Sequence, residues 1–128
     1  MAKEIVLDLS KDCELLNKTA EEWANAIERG TKKTQVRNFY EKVLELESKI
    51  KKSELDNSHE SFEDIYPFIK MLNSKVAYAV SRKVASRDFQ NMMEQSLNQI
   101  TCDENGKKKF KVFKLFFEAV LGFFKGGN

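Results

Sequence analysis

The stretch KVAYAVSRK, residues 75–83, carries two cations and a tyrosine on one side of a predicted helix. At about 100° per residue, Lys75, Tyr78 and Arg82 fall within roughly 60° of one another, away from an apolar set. That set comprises Val76, Ala77, Val80 and Val84. Lysine and arginine bind phosphate oxygens, and arginine binds them in bidentate fashion. The spacing predicts either an anion-binding face, or a tyrosine that packs against a second helix while Arg82 pairs with an acid.

Arg37 raises the same alternatives near the start of another predicted helix. It borders the apolar stripe of that helix, and Lys33 lies one turn earlier on the same side. Because a cation in the first turn is unfavourable for the helix dipole, its presence there favours a binding role. Glu41, one turn later, would instead cancel the charge of Arg37 by pairing with it. Anion binding and an ordinary solvated face both stay open for these residues.

Residues suited to catalysis are scarce in this chain. The single histidine, His59, lies in a predicted acidic loop, so no catalytic triad can be assembled without it. Cys13 and Cys102 lie far apart without metal-ligand spacing, and we expect both to be reduced. The sequence has neither a calcium-loop pattern nor a glycine-rich phosphate loop. We therefore predict no catalytic residues, no metal site and no cofactor, and a binding or structural protein rather than an enzyme.

The elements that position the cations are predicted to be helices. A first apolar stripe at three- and four-residue spacing ends at Gly30, a natural helix stop. Ser10 or Asp12 caps this helix, unless it begins at a capping box of Thr19 and Glu22. Residues 1–10 then form an N-terminal arm.

The second helix has the clearest stripe, which comprises Val36, Phe39, Tyr40, Val43, Leu46 and Ile50. Thr31 or Thr34 caps it, and it ends near Lys52, before a loop over residues 53–61. Ser61 and Asp64 open a third segment, in which Pro67 would also permit a start near Tyr66. The stripe of the third segment comprises Phe62, Ile65, Phe68, Ile69 and Leu72.

Three further helices complete the prediction. One runs from Lys75 to about Ala85, and Ser86 begins the next. A loop over residues 101–109 precedes the last helix, which carries seven apolar residues and stops before a tail at residues 126–128. The phenylalanines of this helix follow core spacing, so we expect them to be buried rather than to stack on bases. The pattern predicts a single all-α domain over residues 1–128, a compact bundle of five to six helices.

Composition agrees with one small domain whose charges are unevenly distributed. The chain has 128 residues and a net charge of +2, yet residues 31–52 hold seven basic and three acidic side chains. Residues 53–64 hold five acidic side chains and no basic one. A nearly neutral chain of this kind can still present a basic face to a polyanion. No apolar run approaches the roughly 18 residues that span a membrane, and no signal peptide is visible, so we expect a cytoplasmic protein.

Three stretches together resemble the small subunit of type III-A (Csm-type) CRISPR effector complexes. TQVRNFYEKV is similar to the Thr/Ser-Gln-x-Arg-x-Phe-Tyr helix start of that family, and IKMLNSKVAYAVSRK to its Leu-Ala-Tyr-Ala-x-Gly-Arg block. FFEAVLGFFKGGN resembles the closing Phe-Glu-Ala helix. The chain departs from the family pattern at Ser81, where glycine is usual, at Ser74, where proline is frequent, and at Lys32 and Lys33, where threonine is frequent.

The resemblance implies a non-catalytic RNA-binding scaffold subunit of about five helices. Its partners would be the guide RNA, the target RNA, the backbone subunit, the large polymerase-like subunit and neighbouring copies of itself, with a homodimer as one form in isolation. Carried over to this sequence, the motif cations are Arg37 and Arg82, with Lys75 in the same block. Local charge adds Lys33 and Lys83. The alternative function is a helical protein–protein adaptor that binds no nucleic acid and docks through its last helix.

The resemblance favours RNA for Arg82 more than for Tyr78. We expect the tyrosine to position Arg82 or to pack between helices rather than to stack on a base.

Overall fold

The computed structural model describes residues 2–55 and 60–126. A π-helical turn at Leu15–Thr19 leads directly into α1, Ala20–Glu28. The other helices are α2 (Lys33–Leu55), α3 (Phe62–Lys70), α4 (Leu72–Ser81), α5 (Arg87–Leu97) and α6 (Glu104–Phe123). Since Met71 between α3 and α4 keeps helical dihedral angles, these two helices form one nearly continuous unit. No strand occurs in the described residues, and the predicted all-α class is confirmed.

The core is built mainly around α6, which packs against α1 and α2. Phe117 of α6 lies edge-on to Phe89 of α5, at 6.3 Å between ring centroids, and Phe89 lies 5.4 Å from Phe39 of α2. The prediction that the phenylalanines of the last helix are buried is confirmed for Phe110, Phe113, Phe116, Phe117 and Phe124. These five rings are therefore not available as an aromatic docking surface.

The N-terminal segment is anchored to the bundle by side-chain amides. The backbone N–H of Ile5 donates to Gln95 of α5 at 3.0 Å, and that of Leu7 donates to Gln99 at 2.9 Å. Ile5 and Leu7 are themselves buried in the core. The expected arm at residues 1–10 is therefore, from Ala2 onwards, packed against the bundle through these contacts.

Asp12, and not Thr19, organises the start of the first helix. The Thr19 hydroxyl donates to the Asp12 carboxylate at 2.8 Å, and that carboxylate also accepts from the N–H of Glu14. The capping box expected at Thr19 and Glu22 is wrong because the Thr19 side chain is buried against Asp12. Gly30 ends the helical segment as predicted, with φ of +89°.

Two predicted loops are partly helical. The helix α2 extends to Leu55, so residues 53–55 are not loop, while residues 56–59 lie outside the described part of the chain. The helix α6 begins at Glu104 rather than after residue 109, because Asp103 caps it by accepting from the N–H of Gly106. A Cβ atom at Gly106 would lie 1.5 Å from the carbonyl oxygen of Thr101, which explains a glycine inside the first turn.

The third helix begins at Phe62, and the start near Tyr66 is wrong. Ser61 and Asp64 form a full capping box, in which each side chain accepts from the backbone N–H of the other. Pro67 is thus inside α3, on its exposed side. Phe68 next to it is 52% exposed, which contradicts its predicted place in the apolar stripe.

Candidate nucleic-acid interface

The loop between α1 and α2 is bound to the turn between α4 and α5. The Thr31 hydroxyl donates to the Ser86 hydroxyl at 2.9 Å and accepts from the Ser86 N–H at 2.9 Å. The N–H of Lys32 donates to the carbonyl of Val84 at 3.2 Å. Thr31 therefore does not cap α2, and neither Thr31 nor Thr34 is confirmed as its cap. We call this contact, Thr31–Lys32 against Val84–Ser86, the Thr31–Ser86 clamp.

Ser86 also caps α5, as the sequence predicts. Its hydroxyl accepts from the N–H of Phe89 at 3.1 Å, so one side chain both begins a helix and holds a distant loop. The clamp thus brings together the N-terminal ends of α2 and α5 and the C-terminal end of α4.

The turn after α4 holds Lys83 in the left-handed region, with φ of +62°. The N–H of Val84 bonds to the carbonyl of Ala79 at 3.1 Å, and that of Lys83 to the carbonyl of Val80 at 2.9 Å. These two bonds form a Schellman motif with Lys83 at the position that glycine normally occupies. The predicted helix end near Ala85 is accordingly too late, since α4 ends at Ser81.

Cations are concentrated around the clamp. Residues 29–34 and 81–88 contain six basic residues and a single acidic one, Asp88. The six are Arg29, Lys32, Lys33, Arg82, Lys83 and Arg87. Lys33 is half-buried and the others are exposed. Among the described residues, none of the six lies within ion-pair distance of a carboxylate.

The basic run of α6 differs because three of its five lysines are paired with carboxylates. Lys107 and Lys111 lie 3.4 and 3.9 Å from Glu54 of α2. Lys114 lies 2.9 Å from Glu118, whose hydrogen bond raises the pKa of the Lys114 ammonium. Much of the positive charge of α6 is thus offset within the protein, whereas that of the clamp is not.

Arg82 and Tyr78 form a pair on the exposed face of α4. The guanidinium lies 5.6 Å from the ring centroid, within cation–π range, and the ring is 63% exposed. Tyr78 therefore does not pack between helices, and its contact with Arg82 agrees with a positioning role. The helix buries Leu72, Val76 and Ala79. Ala77 is exposed, so its predicted place in the apolar set is wrong.

The five predicted site residues do not form one patch. Lys33, Arg82 and Lys83 lie at or beside the clamp, and Arg37 lies one turn further along α2. Arg37 is exposed, and it makes no ion pair with Glu41 or another carboxylate among the described residues. Tyr40, three residues further along α2, contacts Phe117 and Glu118 of α6, so the side of α2 that carries Arg37 borders α6.

Lys75 lies on the opposite side of α2 from Arg37. It lines a groove between α2 and the α3–α4 unit, facing Lys42 and Glu45. At about 100° per residue, Lys42 lies roughly 140° around α2 from Arg37. The cations thus extend from the clamp along two separate sides of α2.

Arg29, Lys32 and Arg87 are cations around the clamp that were not predicted as site residues from the sequence. Lys32 is itself part of the clamp, Arg29 lies two residues before Thr31, and Arg87 follows Ser86. The only local signal in the sequence is that Arg87 follows a capping serine. The contact that brings these cations together joins Thr31 and Ser86, which are 55 positions apart, so local spacing does not reveal it.

The residue types that could bind a metal or take part in catalysis were also located in the structure. No group of three or more histidine, cysteine, aspartate or glutamate side chains is arranged to hold a metal within residues 2–55 and 60–126. His59 lies outside the described residues. Cys13 and Cys102 are free and exposed. Over the same described ranges, no helix combines the length and the hydropathy needed to cross a bilayer.

The fold and the clamp define a small all-α protein with cations at one end of its bundle that make no ion pair with another described residue. Residues 10–127, nearly the whole chain, match the family model described as Csm2 Type III-A. The chain therefore belongs to the Csm2 Type III-A family and is a small subunit of the type III-A CRISPR complex. No curated protein and no solved structure gives a significant match. Family membership thus carries the assignment to the complex.

Proposed function

We propose that this chain is a non-catalytic scaffold subunit that binds the backbone of the guide RNA–target RNA duplex in the cytoplasm. The observation that carries the proposal is the set of unpaired cations around the Thr31–Ser86 clamp. Lys33, Arg82 and Lys83 bind phosphates there, Arg37 extends the contact along α2, and Lys75 extends it along α4. Its protein partners are the backbone subunit, the large polymerase-like subunit and neighbouring copies of itself.

Phosphate contacts suit a subunit that must serve many guides. Lysine and arginine bind the backbone without reading the bases, while base pairing between guide and target supplies the specificity. A few such contacts give weak, salt-sensitive binding, which repeated copies in one complex strengthen. The exposure of Arg37, Lys75, Arg82 and Lys83 supports the proposal, since a phosphate can approach their side chains from solvent.

The test is RNA binding by fluorescence anisotropy across a salt series, with a guide–target duplex as the probe. The variants are Arg37→Gln and Arg82→Gln, each of which removes one charge. Lys18→Gln is the matched control, because Lys18 is exposed and precedes the N-terminal end of α1, whereas the clamp follows the C-terminal end of that helix. Each site variant should weaken binding and reduce the salt slope by about one, with an unchanged helical CD spectrum.

Two outcomes would contradict the proposal. One is a wild-type protein without salt-dependent RNA binding, both alone and in the assembled complex; this result would favour the protein–protein adaptor. The other is an equal loss of affinity in Lys18→Gln and the site variants, which would show that total charge matters and the clamp does not.

A further inference from the structure

A groove of about 310 Å³ lies between α2 and the α3–α4 unit. Its volume is at the lower end of the range for small-molecule pockets, roughly 300–1,000 Å³. The groove residues that matter here are Lys42, Glu45 and Lys49 from α2, and Phe68, Met71 and Lys75 from α3–α4. The sequence indicated only Lys75 among them as a site residue.

Two large apolar side chains in the groove are exposed. Phe68 is 52% exposed and Met71 is 49% exposed, although neighbouring Ile69 and Leu72 are fully buried. Lys49 lies 5.9 Å from the centroid of the Phe68 ring. The groove therefore presents an aromatic ring to solvent with an ammonium group beside it.

The charge of the groove points to an anionic occupant. Lys42, Lys49 and Lys75 stand against one acid, Glu45, and none of the four makes an ion pair with another described residue. A nucleotide matches both features, because its phosphate is anionic and its base has an apolar face. Aromatic rings combined with lysines are the usual means of binding single-stranded nucleic acid without sequence preference.

The groove is continuous with the clamp through the exposed stripe of α3–α4. Phe68, Met71, Lys75, Tyr78 and Arg82 follow three- and four-residue spacing, so they lie on one side of this nearly continuous unit. The stripe is about 21 Å long at 1.5 Å per residue. It holds two exposed rings, each with a cation within 6 Å of its centroid: Phe68 with Lys49, and Tyr78 with Arg82.

We propose that the groove binds an unpaired nucleotide of RNA, with its base stacked on Phe68 and its phosphates held by Lys42, Lys49 and Lys75. The inference rests on the proposed RNA-binding function and adds a ligand class, unpaired nucleotides, to it. A strand bound at the clamp reaches the groove along the exposed stripe. The base is recognised by its face and not by its edge, so no base preference is expected.

The experiment compares wild type with Phe68→Leu, which keeps an apolar side chain but removes the ring. The probe is a single-stranded RNA of about eight nucleotides that contains 2-aminopurine, whose fluorescence falls when the base stacks. Leu115→Ala is the control for loss of an exposed apolar group, since Leu115 is 40% exposed on α6. Lys83→Ala is the control for loss of a clamp charge.

We expect Phe68→Leu to bind the probe about fivefold or more weakly than wild type and to lose most of the quenching in its saturated complex. Lys83→Ala should weaken binding but keep the quenching at saturation, and Leu115→Ala should behave as wild type. Because Phe68 is half-exposed, its variant should keep the CD spectrum and thermal midpoint of the wild type.

The outcomes separate this inference from the proposed function. If Phe68→Leu binds and quenches as wild type does while clamp variants bind weakly, the groove assignment is overturned and the proposed function stands. If Phe68→Leu binds RNA normally but fails to assemble with the other subunits, the groove is a protein contact and the assignment is again overturned. If the wild type binds no RNA in any state, both proposals fail.

Discussion

Replacing Lys83 by glycine should stabilise the protein and weaken RNA binding at the same time. Lys83 has φ of +62°, and an L-residue in this region carries a backbone cost of roughly 1–2 kcal/mol. Glycine removes that cost, but it also makes the unfolded chain more flexible, which destabilises the folded state by roughly 0.4–1 kcal/mol. The Lys83 side chain is exposed and makes no ion pair with a described residue, so little else is lost. The free energy of unfolding should therefore rise by about 1 kcal/mol.

The assay combines thermal and urea unfolding with RNA anisotropy. For a chain of this length, about 1 kcal/mol corresponds to a rise of roughly 3–5 °C in the melting temperature. Lys83→Ala is the matched variant, since alanine removes the same charge but keeps the left-handed cost. Both variants should lose the same RNA affinity, and only Lys83→Gly should gain stability.

The expected gain in stability and the expected loss of RNA affinity can each be refuted separately. If Lys83→Gly melts at or below the wild-type temperature, the strain assigned to the Schellman turn is wrong. If it is stabilised and binds the guide–target duplex with wild-type affinity and salt slope, Lys83 takes no part in the interface, and its occurrence at a glycine position has no functional account.

Two further predictions concern the interactions that hold the site and the N-terminal segment in place. Thr31→Val keeps the shape of a buried side chain but leaves the N–H of Ser86 without its acceptor, so urea unfolding should show a loss of about 1–3 kcal/mol together with weaker RNA binding. Thr34 is exposed, so Thr34→Val should change neither the free energy of unfolding nor that of RNA binding by more than about 0.5 kcal/mol. Equal losses in Thr31→Val and Thr34→Val would contradict the role of the clamp. Burial raises the pKa of Asp12, but hydrogen bonds from Thr19, Glu14 and Lys3 outweigh it and lower the pKa below 3.8. The ionised carboxylate thus stabilises the fold above pH 3.8, and this contribution is lost as the pH falls through the lowered pKa of the folded state. Asp12→Asn should therefore be less stable than wild type by about 1–3 kcal/mol at pH 7, and the difference should shrink in acid. A difference in stability that stays constant with pH would refute this linkage.

Local signals in the sequence predicted much of the helical framework. Ser86 was identified as a cap and Gly30 as a stop, because each acts on backbone groups within three residues of itself. The α6 stripe was identified because seven apolar residues at helical spacing have only one way to be buried together. The Csm2 family assignment rests on a match to the family model over residues 10–127.

The features that the sequence did not predict depend on contacts between distant segments, or on how far the buried face of a helix extends around it. The clamp joins Thr31 to Ser86, and no local pattern marks such a pair. Gly106 was interpreted as a loop residue because nothing in the sequence indicates that the carbonyl of Thr101 would fill the space of its Cβ. Phe68 lies about 90° from the centre of the buried stripe of α3, where spacing alone does not distinguish an edge residue of the core from an exposed one.

The same distinction separates the residues that stabilise this fold from those proposed to bind RNA. The stabilising contacts are buried rings and hydrogen bonds such as those of Phe117 and Thr31, and their loss should reduce stability. Arg37 and Arg82, which are proposed to bind RNA, are exposed and make no ion pair with another described residue, so their removal should leave the fold intact. Lys83 is the position where the two requirements conflict, because the backbone there favours glycine and the proposed interface favours a cation. A lysine at this position is therefore a stronger indication of binding than an exposed lysine in the middle of a helix, where the backbone does not favour glycine.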